Sequence, residues 1–139
     1  MPDTSARRPQ AQKPKTGARP KRTEKMPKIL LAEDDRTMIS LLTTLLQLEG
    51  FEVVALEAHA DIPAAVARER PDAMLMDVHL GGENGMEIVE TLRRDPANAD
   101  INIVMTSGLN TREACLQCGA NDFILKPFMP DDLLKLLKK

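Results

Sequence analysis

Five short apolar runs, separated by longer amphipathic segments, constrain the fold of this chain more than any other feature of its sequence. Each run is continuously apolar instead of alternating with polar residues, which is typical of strands buried on both faces of a parallel sheet. The runs are residues 29–32, 53–56, 73–76, 101–105 and 123–125. Strands that alternate with helices in this way predict five βα units and an α/β fold with a doubly wound, five-stranded parallel sheet.

Five helices are predicted in the segments that follow the strands. In the first helix, Leu42, Leu45 and Leu46 share one face at helical spacing. Gly50 suits the C-terminal cap of that helix, and Gly119 suits the end of the fourth. The other helices are expected from about residue 61 to before Pro71, and at about 85–94, 111–118 and 130–137.

The bulk composition favours one soluble domain. With 139 residues, of which 42% are hydrophobic and 29% charged, the chain has the length and the balance of a single globular unit. No apolar run approaches the roughly 20 residues that a membrane span requires. Arg7 and Arg8 form a twin-arginine pair, but the apolar stretch of an export signal does not follow them. A cytoplasmic location is therefore expected.

Charge divides the chain into two segments. Residues 1–25 hold eight Lys/Arg against two acidic residues, a net charge of +6, whereas the remaining 11 basic and 19 acidic residues give −8. Because the first segment has four prolines and almost nothing to bury, we expect a disordered basic tail, with the folded domain at residues 26–139. A solvated tail is favoured over nucleic-acid contact, since the tail has no aromatic residue for stacking. An acidic partner, or the acidic domain itself, is the alternative contact.

Cys115 and Cys118 are separated by two residues within the predicted fourth helix. Such a pair could be a redox pair or half of a zinc site, but no second Cys or His pair supplies the remaining ligands. Packing of two small apolar side chains in a reduced cytosol is the preferred interpretation.

Polar residues follow four of the apolar runs. They are Glu33, Asp34 and Asp35 after the first strand, Asp77 after the third, Thr106 after the fourth and Lys126 after the fifth. In an open parallel sheet, ligands bind outside these carboxyl ends, where the strand order reverses. If the second and third strands lie on opposite sides of the first, their acids face one crevice. Helix capping by Asp35 or Thr106, or a solvated Lys126, would explain each residue alone but not the joint arrangement.

Clustered carboxylates at this edge predict a metal ion. Two carboxylates about 5 Å apart repel by ~3 kcal/mol at an effective dielectric of about 20, so three would cost on the order of 10 kcal/mol. Lys126 alone is not expected to neutralise three acids. Carboxylates, a carbonyl oxygen and water form the partial octahedral shell that Mg²⁺ prefers, so the sequence predicts a magnesium site.

At these residues the sequence resembles the receiver domain of two-component response regulators, of the stand-alone kind typified by chemotaxis regulators. The resemblance covers the chain from residue 28 onward. The matching motifs are residues 29–35 (Ile-Leu-Leu-Ala-Glu-Asp-Asp), 74–77 (Met-Leu-Met-Asp) with Gly85 beyond them, 105–107 (Met-Thr-Ser) and 119–128, which ends in Phe-Ile-Leu-Lys-Pro-Phe. Four motifs in this order are much more specific than any one of them. The resemblance implies a flavodoxin-like strand order of 2-1-3-4-5.

The resemblance also implies a phosphoacceptor site. Asp77 is then the residue that accepts a phosphoryl group, in a Mg²⁺-dependent reaction, from a sensor histidine kinase or a phosphotransfer protein. Asp34 and Asp77 bind the metal directly, and Glu33 holds it through water. The backbone carbonyl of His79 is a further ligand, and its imidazole is not.

A conformational switch is implied as well. Thr106 donates its hydroxyl and Lys126 its ammonium to the phosphoryl group, and the ring of Phe123 moves with Thr106. Two charge-assisted hydrogen bonds of about 1.5–3 kcal/mol each could shift a two-state equilibrium by roughly 10² to 10⁴. The bond between Lys126 and the proline after it corresponds to one that the family holds in cis. His59 has no assigned role.

The sequence departs from the family pattern at two places. Gly81 stands where the family often has Pro, and the interval from Thr106 to Gly119 is shorter than usual. The shortening falls on the loop and helix that normally report phosphorylation. The resemblance therefore leaves open which partners the chain binds and whether it forms a homodimer.

Three functions are compatible with these features. The favoured one is a phosphoacceptor that regulates a downstream protein without an output domain of its own and is no enzyme beyond self-phosphorylation and slow autodephosphorylation. The second is a binding module that contacts partners irrespective of phosphorylation. The third is an aspartyl-phosphate hydrolase, which would carry its nucleophile after the first strand in an Asp-x-Asp arrangement that residues 33–35 lack.

Overall fold

The structure is a computed structural model that describes residues 26–57 and 60–139. The predicted tail at residues 1–25 lies outside the described residues, as does His59. The predictions made for those residues therefore stay predictions.

Within the described residues, all five predicted strands and all five predicted helices are present and alternate along the chain. The strands of the sheet are β1 (Lys28–Ala32), β2 (Glu52–Ala55), β3 (Ala73–Asp77), β4 (Asn102–Ser107) and β5 (Asp122–Leu125). The helices are α1 (Arg36–Leu48), α2 (Ile62–Glu69), α3 (Gly85–Arg94), α4 (Arg112–Cys118) and α5 (Pro130–Leu137), and a 3₁₀ turn covers Pro96–Asn98. No helix in this part of the chain is long and apolar enough to span a bilayer.

All neighbouring strands of the sheet are parallel, in the order β2-β1-β3-β4-β5. This order confirms the predicted doubly wound α/β fold. The order reverses at β1, which has β2 on one side and β3 on the other. Ala32 pairs with Met76, and Asp77 pairs with Thr106, so the carboxyl ends of β1, β3 and β4 are level. Residues at these ends are thereby brought to one edge of the sheet.

Apolar residues of each strand pack on both faces of the sheet. On β1, Leu30 lies in the layer that includes α2, α3 and α4, whereas Leu31 lies in the layer that includes α1 and α5. The buried helix residues include Val66, Val89, Leu92 and Cys115 in the first layer, and Leu42, Leu46 and Leu133 in the second. Full burial of such a side chain contributes about 1.5–3 kcal/mol. Burial on two faces explains why the strands are continuously apolar in sequence.

The two cysteines are free thiols buried in the first of these layers. Cys118 Sγ lies 3.8 Å from Met105 Sδ and 3.0 Å from the carbonyl oxygen of Cys115. Burial raises the pKa of both thiols, which keeps them protonated and poorly nucleophilic. These surroundings agree with the packing interpretation.

Side-chain caps fix the starts of three helices. Asp35, Asp61 and Asn84 accept hydrogen bonds of 2.9–3.2 Å from N–H groups in the first turns of α1, α2 and α3. The capping explanation for Asp35 is thus confirmed. After β5, the Lys126–Pro127 peptide bond is cis, as the resemblance implies.

A short antiparallel hairpin, which is not among the predicted elements, follows β3. His79–Leu80 pairs with Glu83–Asn84, and Gly81 and Gly82 form the turn with φ of +50° and +114°. Two consecutive positive φ angles are typical of two-residue hairpin turns and favour glycine. Proline fixes φ at about −65°, so the hairpin accounts for glycine at position 81 where the family often has Pro.

Candidate functional site

The ammonium of Lys126 joins two buried carboxylates at the carboxyl edge of the sheet. Its Nζ lies 2.6 Å from Asp77 Oδ2 and 2.9 Å from Glu33 Oε1. Asp77 is the last residue of β3, Glu33 follows β1, and each is 6% exposed. Burial alone lowers the pKa of the Lys126 ammonium, but the hydrogen bonds to Asp77 and Glu33 outweigh that effect and raise it above the ordinary value. Lys126 is therefore held in its charged form.

Backbone donors hold the second oxygen of each carboxylate. The N–H of His79 donates to Asp77 Oδ1 at 2.9 Å, and the N–H of Asp35 donates to Glu33 Oε2 at 3.0 Å. Hydrogen bonds to ionised acceptors are stronger than neutral ones, so both carboxylates are fixed in orientation. These donors could not be predicted from the sequence, because a peptide N–H is present at every residue except proline and carries no signal in the residue types.

Asp34 is the third acid at this edge and has a different environment. Its side chain is exposed, and a Cβ placed on Gly81 would lie 3.3 Å from Asp34 Oδ2. No basic side chain among residues 26–57 and 60–139 forms an ion pair with Asp34. Three acids and one ammonium leave the group of Glu33, Asp34, Asp77 and Lys126 with a net charge of −2.

The donor set suits a hard divalent cation. Mg²⁺ is commonly bound by one or two carboxylates and keeps several waters, and Asp34 and Asp77 can supply such carboxylates. In the described part of the chain, no group of three or more His, Cys, Asp or Glu side chains is arranged to hold a metal ion without other ligands. A closed structural zinc site would need four such side chains. The backbone of His79 adjoins Asp77, and its imidazole is exposed. The residues present therefore fit an open magnesium site.

Thr106, which pairs with Asp77 across β3 and β4, and Phe123 on β5 form hydrogen bonds outside this group of charged residues. The Thr106 hydroxyl donates to the carbonyl oxygen of Ile124 at 2.8 Å, and the Thr106 carbonyl accepts from Val78 N–H at 2.9 Å. Phe123 is buried, and its carbonyl accepts from Arg112 Nη1 at 3.2 Å. Glu33, Asp77 and Lys126 are thus in direct contact, whereas the hydroxyl of Thr106 is held against β5.

Gly85 allows α3 to begin directly against the end of β3. Its N–H donates to the carbonyl of Val78 at 2.6 Å. A Cβ at this position would overlap the carbonyl oxygen of Asp77 and lie 3.1 Å from Val78 Cα. A residue with any side chain would push the backbone of Asp77 away from its neighbours.

Gly85→Ala is expected to lower the free energy of unfolding by about 2 kcal/mol, because the added methyl overlaps backbone atoms that cannot rotate away. Urea unfolding of the variant and the parent chain measures the change. Gly108→Ala is the matched control, since a Cβ there meets nothing within 4 Å, and it should change stability by less than about 1 kcal/mol. Equal unfolding midpoints for the two variants would contradict the close approach at Gly85.

Comparison with known proteins places residues 29–138 in the response regulator receiver domain family. The DNA-binding response regulator MtrA of Mycolicibacterium paratuberculosis is 36% identical over 110 residues, which are 77% of this chain and 48% of MtrA. The BeF₃-activated receiver domain of Klebsiella pneumoniae RstA is 32% identical, with a TM-score of 0.72 over 80% of this chain and 95% of that one. The receiver domain of a Pseudomonas aeruginosa sensor histidine kinase, with magnesium coordinated in its active-site cleft, is 28% identical, with a TM-score of 0.72 over 81% and 95%.

The chain spans about half the length of the curated relatives it matches. The shared part is the region that the family profile covers, from the start of β1 to the end of α5. Within it, the parallel sheet has the strand order that the motifs imply, and Asp77, Glu33 and Lys126 meet at its carboxyl edge. This chain belongs to the response regulator receiver domain family of two-component systems.

Proposed function

We propose that this chain accepts a phosphoryl group on Asp77 from a sensor histidine kinase or phosphotransfer protein and thereby regulates a downstream protein in the cytoplasm. The observation that carries the proposal is the 2.6 Å contact between Lys126 Nζ and Asp77 Oδ2, with Glu33 on the same ammonium. In an open parallel sheet, ligands bind at the carboxyl edge where the strand order reverses, and Asp77 lies at that edge. A carboxylate in this position can act as the nucleophile toward a bound phosphoryl donor.

The proposed transfer needs no further protein nucleophile. A carboxylate oxygen of Asp77 attacks phosphorus, the bond from phosphorus to the imidazole nitrogen of the donor breaks, and that nitrogen keeps the electron pair. The contacts of Asp77 with Lys126 and the N–H of His79 hold the carboxylate in one orientation, which favours in-line attack. Lys126 also supplies positive charge beside the oxygens that become negative.

Magnesium is the proposed cofactor. Asp34, Asp77 and the backbone carbonyl of His79 would hold the ion, with Glu33 acting through water. When bound, Mg²⁺ neutralises negative charge on the transferring phosphoryl group. The net charge of −2 on the four ionised side chains supports a divalent ion, since a single one balances it.

Thr106 and Phe123 are the proposed switch residues. To donate to a phosphoryl group on Asp77, the Thr106 hydroxyl has to leave the carbonyl of Ile124, to which it is bonded at 2.8 Å. That rotation frees space on the β5 side of Thr106, into which the buried ring of Phe123 can move. Phosphorylation would in this way alter β5 and α4 together.

Exposed apolar side chains mark where a downstream protein could bind. They are Leu109, Leu116, Leu125 and Met129, which belong to α4, β5 and the adjoining loops. An exposed apolar surface of this kind also suits the second candidate function, a module that binds irrespective of phosphorylation. Equal partner affinity with and without beryllofluoride would select that alternative.

Acetyl phosphate with Mg²⁺ is expected to add one phosphoryl group to the full chain, and chelation of the metal with EDTA should abolish the addition, because the charge on the moving group is then not neutralised. Intact-mass spectrometry measures the addition, and peptide mapping should place it on Asp77. Labelling that persists in EDTA would contradict the magnesium requirement. A modified residue other than Asp77 would contradict the assignment of the nucleophile.

A further inference from the structure

A groove opens beside the site, between the end of β2 and the hairpin that follows β3. Leu56, Ile62 and Leu80 form its apolar floor, and Asp34, Glu57 and Glu83 form its acidic rim. Glu57 and Glu83 are exposed and take no part in the proposed phosphoacceptor chemistry. We name this feature the acidic groove.

The acidic groove lacks a basic counterpart within the described chain. Among residues 26–57 and 60–139, no Lys or Arg side chain forms an ion pair with any of the three rim acids. Arg36 at the start of α1 borders the depression that continues the groove on the other side of Asp34. A surface of this kind suits an extended cationic peptide, because Lys and Arg can lay their methylene stems on apolar side chains and place the charged ends at a polar rim.

We infer that residues 1–25 of the same chain occupy the acidic groove. This segment carries a net charge of +6, whereas the rest of the chain carries −8, so the two net charges are opposite in sign and similar in magnitude. Its basic residues stand next to prolines, as in Arg8-Pro9, Pro14-Lys15 and Arg19-Pro20-Lys21. Such sequences favour the extended polyproline II conformation, which can follow a groove without having to satisfy internal hydrogen bonds.

The length of the segment allows it to reach the groove. β1 begins two residues after Met26 and is five residues long, so its first and last residues are about 13 Å apart at about 3.3 Å per residue. Residues 19–25 alone can extend for more than about 20 Å, and the basic residues before them reach further. A short tether gives an effective concentration of about millimolar, so even a weak contact would be populated. Because Asp34 belongs to both the rim and the site, the docked segment brings positive charge to the entrance of the site.

Paramagnetic broadening in the full chain tests this contact. Thr16→Cys introduces a labelling position into the basic segment, and the two native thiols, which are 0% and 9% exposed, stay unlabelled in the folded protein. With a nitroxide on position 16, in EDTA and without phosphate, the amide signals of Leu56, Ala60 and Leu80 should lose most of their intensity. At about 1 M salt, where the Debye length is about 3 Å, the signals should recover.

Two charge-matched pairs of substitutions locate the contact. Glu57→Gln with Glu83→Gln should restore the broadened signals, whereas Glu113→Gln with Asp131→Asn, on α4 and α5 at the other edge of the sheet, should not. Broadening that is absent, or that survives neutralisation of the rim, overturns the proposal. Broadening of an isotope-labelled chain by a spin-labelled second chain in an equimolar mixture would assign the contact to another copy and overturn it too. None of these results depends on whether Asp77 is phosphorylated.

Discussion

Asp77→Asn is expected to abolish phosphoryl transfer to the chain while leaving the fold intact. The amide has no negative oxygen that can attack phosphorus, so the loss should be complete instead of partial. The fold should persist because asparagine has the size of aspartate, and its carbonyl oxygen can still accept the 2.9 Å hydrogen bond from the N–H of His79. Intact mass after incubation with acetyl phosphate and Mg²⁺ measures the loss, and circular dichroism checks the fold.

Asp122→Asn is the matched control for this variant. Asp122 is also a buried strand aspartate with a lysine partner, since its Oδ2 lies 3.2 Å from Lys139 Nζ, but it begins β5 instead of ending β3. The Asp122→Asn variant should be phosphorylated on Asp77 as completely as the parent chain. If Asp77→Asn gains the same mass as the parent chain, another residue is the acceptor and the proposed function fails at its central step.

Much of the fold could be predicted because burial on two faces leaves a direct trace in sequence. Runs of apolar residues marked all five strands to within two residues of their observed ends. The differences fall at strand ends, where backbone pairing and not hydrophobicity sets the limit. Asp77 and Thr106, expected to follow their strands, are paired with each other inside β3 and β4. The pairing places both side chains at the edge where the sequence located the site.

Contacts between distant side chains could not be read from the pattern. The residue types indicated that Lys126 alone does not neutralise three acids. They did not indicate that Lys126 bonds Asp77 and Glu33 at once and that Asp34 is exposed. The side-chain orientation of Thr106 could not be predicted either, because its hydroxyl can donate to the carbonyl oxygen of Ile124 or to a phosphoryl group on Asp77. The hairpin after β3 had a sequence signal, because the Gly81-Gly82 pair is typical of two-residue hairpin turns.

Arg93→Met is expected to lower the free energy of unfolding by about 4 kcal/mol, because Arg93 connects the 3₁₀ turn, the segment before β4 and the loop between α4 and β5. Its guanidinium donates to the carbonyl oxygens of Gly119, Asn98 and Ile101, and to Asn121 Oδ1, at 2.7–2.9 Å. Hydrogen bonds from a charged donor contribute about 1.5–3 kcal/mol each. The total expected here is smaller than the sum of four such bonds. Water can replace part of the loss at this half-buried position, and the contributions of bonds from one side chain are not additive.

The neighbouring residue supplies the control. Arg94→Met makes the same change of charge and size on α3, but Arg94 is exposed and should change stability by less than about 0.5 kcal/mol. A domain of this size has a total free energy of unfolding of about 5–15 kcal/mol, so the Arg93 variant should unfold at a clearly lower urea concentration. Hydrogen exchange should rise first at Asn98, Ile101 and Asn121, the segments that lose their donor. Equal midpoints for the two methionine variants would mean that the bonds of Arg93 are exchanged for water without loss.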